Sequence, residues 1–271
     1  MKWLLNALSS SVGRKFVMAI TGLLLCGFLV AHLAGNLLLW VSDQAYNDYA
    51  HKLHEQALLL AVAETGLFAL FIIHIVFAFQ LTIGNTLARG TGYANQKAKG
   101  EGYGFGFGRP DTWMAISGTL VLGYICLHLI DFKFELRGEG FYNDAHGNEL
   151  LPAAKAEALL KSSTSTIGYL AGIIFLTLHL MHGVPSLFQS LGIYHKKYNG
   201  LIKVAGLLFA ISMGVGFGSF LLWAHSRPPS TPGKTHVESK AAPIHITKPA
   251  ADEKSEAEPA KPDAAKAEAA K

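Results

Sequence analysis

The stretch Gly168 to Gly192, GYLAGIIFLTLHLMHGVPSLFQSLG, is long and apolar enough to cross a bilayer, and it carries His179 and His182 near its middle. A membrane span needs roughly 20 apolar residues at about 1.5 Å each. Ionisable side chains are costly at membrane depth, so a histidine there indicates a partner, and a metal is the commonest strong partner of a neutral imidazole. This stretch therefore predicts a membrane protein that uses buried histidines.

Four other stretches have the same length and character. The chain has 271 residues, of which 51% are hydrophobic and 15% charged, which excludes an ordinary soluble domain over most of its length. The apolar runs are continuous and lack the alternation of barrel strands, so helices are expected. The sequence predicts an all-α integral membrane protein with five transmembrane helices, at residues 16–41, 57–84, 113–130, 167–191 and 204–223.

Lysines and arginines are distributed unevenly between the connecting segments. Residues 1–15, 85–111 and 192–203 together carry ten of them, whereas residues 42–56 and 131–166 carry five. Because basic loops stay on the cytoplasmic side, the N-terminus is expected inside and the C-terminus outside. Residues 226–271 are rich in Pro, Ala, Lys and Glu, so we expect a disordered tail after a membrane domain of residues 1–225. The net charge of +4 gives no indication of nucleic-acid binding.

Three other predicted spans also carry a central histidine: His32, His74 and His128. Counted from the start of each span, His32 and His128 lie at the same depth in the membrane, nearer its outer face. His74 lies nearer the cytoplasm, at the same depth as either His179 or His182. At about 1.5 Å per residue the two depths are roughly 10 Å apart. A bis-histidine haem needs two imidazoles on facing helices. The two histidine pairs therefore predict two haems, stacked across the bilayer.

Buried histidines have roles other than haem ligation. A hydrogen-bonded core position is the plain alternative for any single histidine, but four histidines on four helices at two matched depths favour ligation. A proton relay in a transporter usually brings several intramembrane carboxylates. The predicted spans contain one, Glu64.

Several stretches resemble a known family, the membrane-anchor cytochrome b subunit of succinate:quinone and fumarate reductases, in its single-chain, five-helix, two-haem form. The resemblance covers about residues 9–224 and also rests on the helix count and the four-histidine pattern. The stretches that carry it are SSVGRKFVMAITG (Ser10 to Gly22), FLVAHLAGNLL (Phe28 to Leu38), the helix of His74, and LHLMHGVPSLFQSLG (Leu178 to Gly192).

The resemblance implies which histidines bind haem. In that family the ligand on the fourth helix is followed by glycines four and thirteen residues later, which fits His179 with Gly183 and Gly192. His182 would then bind a haem propionate or make a structural hydrogen bond. The fifth helix would be a spacer. The implied axial ligands of two haems b are His32 with His128 and His74 with His179.

The resemblance also implies a function and partners. The chain would anchor a flavoprotein subunit with FAD and an iron–sulfur subunit on the cytoplasmic face of a bacterial inner membrane, in a complex that can dimerise. It would pass electrons between them and a membrane quinone, with menaquinone as the expected type, and would carry no succinate chemistry itself. The alternatives are a di-haem subunit of a hydrogenase or formate dehydrogenase, and a non-redox transporter or structural membrane protein.

A quinone site needs hydrogen-bond donors and a group that exchanges protons at membrane depth. Near the outer face the candidates are Glu64, in what the sequence presents as an uncharged neighbourhood, and His51 and His54 in the preceding loop. Near the cytoplasmic face they are Ser11 and Arg14, which resemble a Ser and Arg pairing at the quinone sites of related anchors.

Overall fold

A computed structural model describes residues 10–87 and 110–228. Within these residues the chain forms α-helices and one short 3-10 turn at Glu139–Phe141, with no strand. Residues 229–271, which hold most of the predicted tail, lie outside the described residues. The helices are α1 (Ser11–Asn36), α2 (Leu38–Val41), α3 (Asp43–Glu55), α4 (Ala57–Leu87), α5 (Pro110–Phe132), α6 (Pro152–Lys161), α7 (Ser163–Ser190) and α8 (Asn199–Ser226).

In the described part of the chain, five helical segments are long and apolar enough to cross a membrane: α1 with α2, and then α4, α5, α7 and α8. This confirms the predicted number of spans and indicates a multi-pass membrane protein. Several helices begin earlier than predicted, since a helix extends beyond its apolar run. For α1 the cause is a cap, because the Ser10 hydroxyl accepts a hydrogen bond from the Gly13 amide at 3.0 Å.

Four of the spans form a ring. α1 packs along α4 and α7, α5 packs along α7, and a few residues of α5 touch α4. Consequently α1 lies opposite α5, and α4 lies opposite α7. The remaining span, α8, packs against α7 and α1 from outside the ring, as expected of a spacer helix without a central histidine.

Glycines allow the closest helix contacts. A side chain at Gly172 on α7 would collide with the ring of Tyr124 on α5. A β-carbon at Gly206 on α8 would lie 2.9 Å from Cδ of Pro185, which sits inside α7. These contacts set how near α5 and α8 approach the central helix α7.

The short helices α3 and α6 lie at the end of the bundle where the first span, α1 with α2, ends. Arg227, just after α8, binds Asp43 at the start of α3 (2.5 Å) and Glu157 on α6 (2.7 Å). The hydrogen bonds that Arg227 donates to Asp43, together with the neighbouring carboxylates, raise the pKa of Arg227 above its ordinary value, so this contact stays charged. These ion pairs tie both short helices to the end of α8.

Candidate functional site

The structure brings His32 on α1 and His128 on α5 together across the ring. Their ring centroids lie 5.8 Å apart and the rings are nearly perpendicular, at 83°. A metal ion shared by two imidazoles would hold their centres about 6 Å apart, because each metal–nitrogen bond is about 2 Å long. We call this the outer pair, after the predicted orientation of the chain.

Aromatic side chains surround the outer pair. Phe28 stacks on His32 at 5.3 Å, and Phe132 lies 5.1 Å from His128. Nδ1 of His32 lies 3.4 Å from the Asn36 amide nitrogen. Nδ1 of His128 is buried and has no hydrogen-bond partner among the described residues. Further rings around the pair are Phe217, Tyr124 and Tyr169.

The inner pair consists of His74 on α4 and His179 on α7, which are also opposite helices. Nδ1 of His74 lies 3.1 Å from the hydroxyl of Thr21 on α1. That hydroxyl donates to the backbone carbonyl of Met18 at 3.0 Å, so it accepts the proton of the ring nitrogen. This assigns the proton to Nδ1 from the hydrogen-bond network and leaves the lone pair on Nε2.

His179 has an equivalent partner on the adjacent helix. Its Nδ1 lies 3.2 Å from the hydroxyl of Ser117 on α5. His182 differs, because its Nδ1 donates to the carbonyl of Leu178 in its own helix at 3.2 Å. Ser117 thus gives His179 a hydroxyl partner on an adjacent helix, and the choice of haem ligand between His179 and His182 stays a prediction.

A glycine follows each of the two hydroxyl residues. A β-carbon at Gly22 would lie 3.5 Å from Cε1 of His74, and one at Gly118 would lie 3.3 Å from Cε1 of His179. A larger side chain would press on the edge of each imidazole. The sequence prediction missed these four residues, although a shared pattern was visible: Thr21-Gly22 and Ser117-Gly118 each stand eleven residues before the outer histidine of the same helix.

The same spacing fixes the distance between the two levels. Thr21 and Ser117 contact the inner pair, and each lies eleven residues before a member of the outer pair. Eleven residues of α-helix rise about 16 Å. This exceeds the 10 Å estimated from sequence, because that count used span starts several residues later than the real helix starts.

The residues at both levels fit a haem. Each level offers two imidazoles, and among the described residues no group of three or more His, Cys, Asp or Glu is gathered that could hold a bare metal ion. A haem supplies its other ligands from the macrocycle, so two imidazoles complete it. The hydroxyl contacts of the inner pair are the kind of second interaction that orients metal-binding histidines.

A polar network lies next to the outer pair. The carboxyl of Asp131, near the end of α5, is fully buried. Its Oδ2 accepts a hydrogen bond from the hydroxyl of Tyr169 at 2.9 Å, and its Oδ1 lies 3.1 Å from Nε of Arg137 without hydrogen-bond alignment. Arg137 also donates to the hydroxyl of Ser165. The ring of Tyr169 contacts His128, so the network joins the outer pair to the loop after α5.

The residues predicted to bind quinone have distinct surroundings. Glu64 on α4 does not have the expected uncharged neighbourhood, because Lys133 lies 2.6 and 2.7 Å from its two oxygens. His51 and His54 are exposed on α3, where His51 lies 3.4 Å from Glu55 and His54 donates to a carbonyl of its own helix.

At the other end of the bundle lie Ser11 and Arg14, in the first turn of α1. Ser11 is exposed. Nε of Arg14 is buried and has no hydrogen-bond partner in the described part of the chain. Both remain candidates for contact with an anionic or carbonyl group at the inner end.

Comparison of the chain with protein-family models, with curated proteins and with solved structures gave no match in any of the three. Fold and site define a multi-pass helical membrane protein with histidines paired between opposite helices. The resemblance to an anchor cytochrome b therefore stays a prediction.

Proposed function

We propose that this chain is a di-haem cytochrome b that anchors a succinate dehydrogenase or fumarate reductase and passes electrons between its partner subunits and a membrane quinone. The observation that carries the proposal is the pairing of histidines across a four-helix ring, with His32 beside His128 and with His74 and His179 each held by a hydroxyl of an adjacent helix. Histidines that served helix packing alone would not need two matched levels.

The residues of the chain would position two haems b. Bound haem iron with two imidazole ligands supplies one-electron transfer and has no free position for a substrate. Thr21 and Ser117 hold the inner rings with Nε2 free to bind. Gly22 and Gly118 leave space beside those rings. At the outer level, aromatic side chains would pack around the bound group.

Two levels about 16 Å apart would carry electrons across roughly half of a hydrocarbon core about 30 Å thick. In the proposed orientation, with the N-terminus cytoplasmic in a bacterial inner membrane, the inner pair faces the partner subunits. Those subunits would hold FAD and iron–sulfur clusters. The outer pair would then serve exchange with quinone.

Haem content tests the proposal directly. The purified chain should contain two haems b per chain by pyridine haemochrome, the His179→Ala variant one, and the His182→Ala variant two. Loss of haem in the His182 variant instead would reverse the ligand assignment on α7. A wild-type chain without haem would refute the cytochrome proposal.

A second measurement separates the succinate-linked role from that of other respiratory complexes. Membranes containing the whole complex should show haem reduction when succinate is added, and FAD should co-purify with the chain. Haem that is reduced by dithionite and not by succinate would support the hydrogenase or formate dehydrogenase alternative.

A further inference from the structure

A short basic connector, residues 191–198, joins α7 to α8. It lies between two helices that are each long and apolar enough to cross a membrane, so it lies at the membrane surface. α7 runs from Tyr169, beside the outer pair, past His179 and ends at Ser190, which places the connector at the inner end of the bundle. The predicted orientation of the chain makes this the cytoplasmic face.

Two lysines of the connector, Lys196 and Lys197, carry uncompensated charge. Both are exposed, and neither ammonium has a carboxylate partner among the described residues. The sequence contains no Asp or Glu between Glu157 and Glu238, so α7, the connector and α8 are all without acidic residues. The surface at the connector is therefore positive and suits an anionic partner.

Hydrogen bonds hold the connector in an ordered turn. The amide of His195 donates to Oδ1 of Asn199 at 3.1 Å, and the amide of Lys197 donates to Nδ1 of His195 at 3.2 Å. Nζ of Lys197 lies 5.6 Å from the centroid of the Tyr198 ring, whose face attracts a cation. The turn thus positions this ammonium before any ligand binds, which lowers the entropy cost of binding.

An apolar surface continues from the connector along α8. Tyr194 in the connector is 65% exposed, and Leu201 in the first turn of α8 is 69% exposed. Val204 and Leu208, about one and two turns further along, are exposed as well. Spacings of three and four residues place the three aliphatic side chains on one face of the helix. α8 packs against α7 and α1 from outside the ring, so this exposed face meets lipid.

We propose that the connector and the adjoining face of α8 bind an anionic phospholipid. The phosphate would lie against Lys196 and Lys197, and an acyl chain would lie along the exposed aliphatic face of α8. Tyr194 would lie at the level of the head groups, where aromatic side chains are favoured. A protein partner fits this surface less well. A subunit that exchanges electrons with the inner pair must sit over the ring, whereas the connector leads outwards from the ring to α8.

Native mass spectrometry of the full chain in detergent tests this surface, with phosphatidylglycerol and phosphatidylcholine of the same acyl chains as the two probes. The wild type should bind phosphatidylglycerol about tenfold or more tightly than phosphatidylcholine. Lys197→Gln should raise the Kd for phosphatidylglycerol about fivefold, because one attractive charge near the membrane surface is lost, and Lys197→Arg should restore it. Lys52→Gln is the matched control, because it removes one exposed lysine at the outer end and should leave the Kd unchanged.

Haem content, measured on the same samples, separates this inference from the proposed function. Equal binding of the two lipids by a wild-type chain with two haems would overturn the inference and leave the function intact. An equal rise of the Kd in Lys197→Gln and Lys52→Gln would also overturn it. A Lys197→Gln complex that keeps its lipid preference but loses the flavoprotein and iron–sulfur subunits would assign the surface to protein docking instead. A preference for phosphatidylglycerol that depends on Lys197 in a chain without haem would support the lipid surface and refute the cytochrome.

Discussion

The inner and outer histidine pairs are held by different interactions. At the inner level a hydroxyl of an adjacent helix binds Nδ1 of each histidine, at 3.1 Å from Thr21 and 3.2 Å from Ser117. At the outer level the rings are packed among aromatic side chains, and Nδ1 of His128 has no partner among the described residues. Hydroxyls of adjacent helices thus orient the inner pair, whereas the outer pair is held mainly by packing, with one contact to His32 from Asn36 in its own helix, at 3.4 Å.

Charge distinguishes the two levels as well. The ion pair of Asp131 with Arg137 lies beside the outer pair, and the pair of Glu64 with Lys133 lies at the same depth. The contacts described at the inner level are made by neutral hydroxyls. A redox centre surrounded by neutral groups suits transfer of electrons alone, whereas nearby charged and ionisable groups suit exchange with a ligand that also takes up protons.

The largest expected effect comes from filling the space beside an inner histidine. A β-carbon at Gly118 would lie 3.3 Å from Cε1 of His179, and the two methyl groups of valine would come closer. Gly118→Val should therefore lose the inner haem and keep the outer one, giving one haem per chain by pyridine haemochrome.

Gly123→Val is the control on the same helix, because nothing in the described structure lies within 4 Å of its β-carbon position. It should retain both haems. If the two valine variants bind the same amount of haem, the space at the glycine next to Ser117 is not needed for haem binding at the inner level.

Removal of Arg137 should produce the next largest effect, and at the outer level. Asp131 is fully buried, so Arg137→Leu leaves a carboxylate without its charge partner, at a cost of about 3–5 kcal/mol. Denaturant unfolding in detergent should show this loss, and on heating the outer haem should be released before the inner one.

Glu55→Gln provides the comparison for Arg137. It breaks an exposed contact with His51 and should change the free energy of unfolding by about 0–1 kcal/mol. Similar destabilisation by both substitutions would mean that the Asp131 network does not hold the outer end together.

Loss of a single hydroxyl at the inner level should have a smaller effect, on haem affinity alone. Ser117→Ala and Thr21→Val each remove the partner of one ring nitrogen, and loss of such a partner typically weakens metal binding about 10–100-fold. Haem transfer to excess apomyoglobin measures this as faster release of one haem of the two. Thr119→Val, whose hydroxyl bonds its own helix at 2.9 Å, should release haem like the wild type; faster release there would point to a general loosening of α5.

The sequence predicted the number of spans and a central histidine on four of them, because apolar length and an imidazole within it are local properties. It did not predict Thr21 and Ser117, because which hydroxyl meets which ring depends on how each helix is rotated in the bundle. The pairing of Glu64 with Lys133 was missed for a related reason. Lys133 lies beyond the predicted end of its span, and its reach back to membrane depth is a property of the packed helices.

The early start of α1 was within reach of the sequence, since a serine just before an apolar helix is a cap signal. Using that start would have placed His32 deeper along its helix and widened the expected distance between the levels. Depth along the helix does not separate His179 from His182, because they are three residues apart, so the choice between them rests on the glycine spacing of the resembling family and stays a prediction.

The smallest expected effect is a pH dependence confined to the outer end. Tyr142, in the loop after α5, donates its hydroxyl to the Asp131 carbonyl at 3.1 Å. Burial, with Asp131 and Glu135 nearby, raises its pKa above the ordinary 10.0, against the hydrogen bond that the Arg137 amide donates to it. A raised pKa means that the neutral phenol stabilises the fold fully below about pH 10 and that this contribution is lost as the pH rises through the raised value. Amide hydrogen exchange in residues 137–142, corrected for its intrinsic rise with pH, should therefore accelerate above pH 10 in the wild type and show no such step in Tyr142→Phe, while the spectrum of the inner haem stays constant. An identical step in Tyr142→Phe would assign the transition to another group.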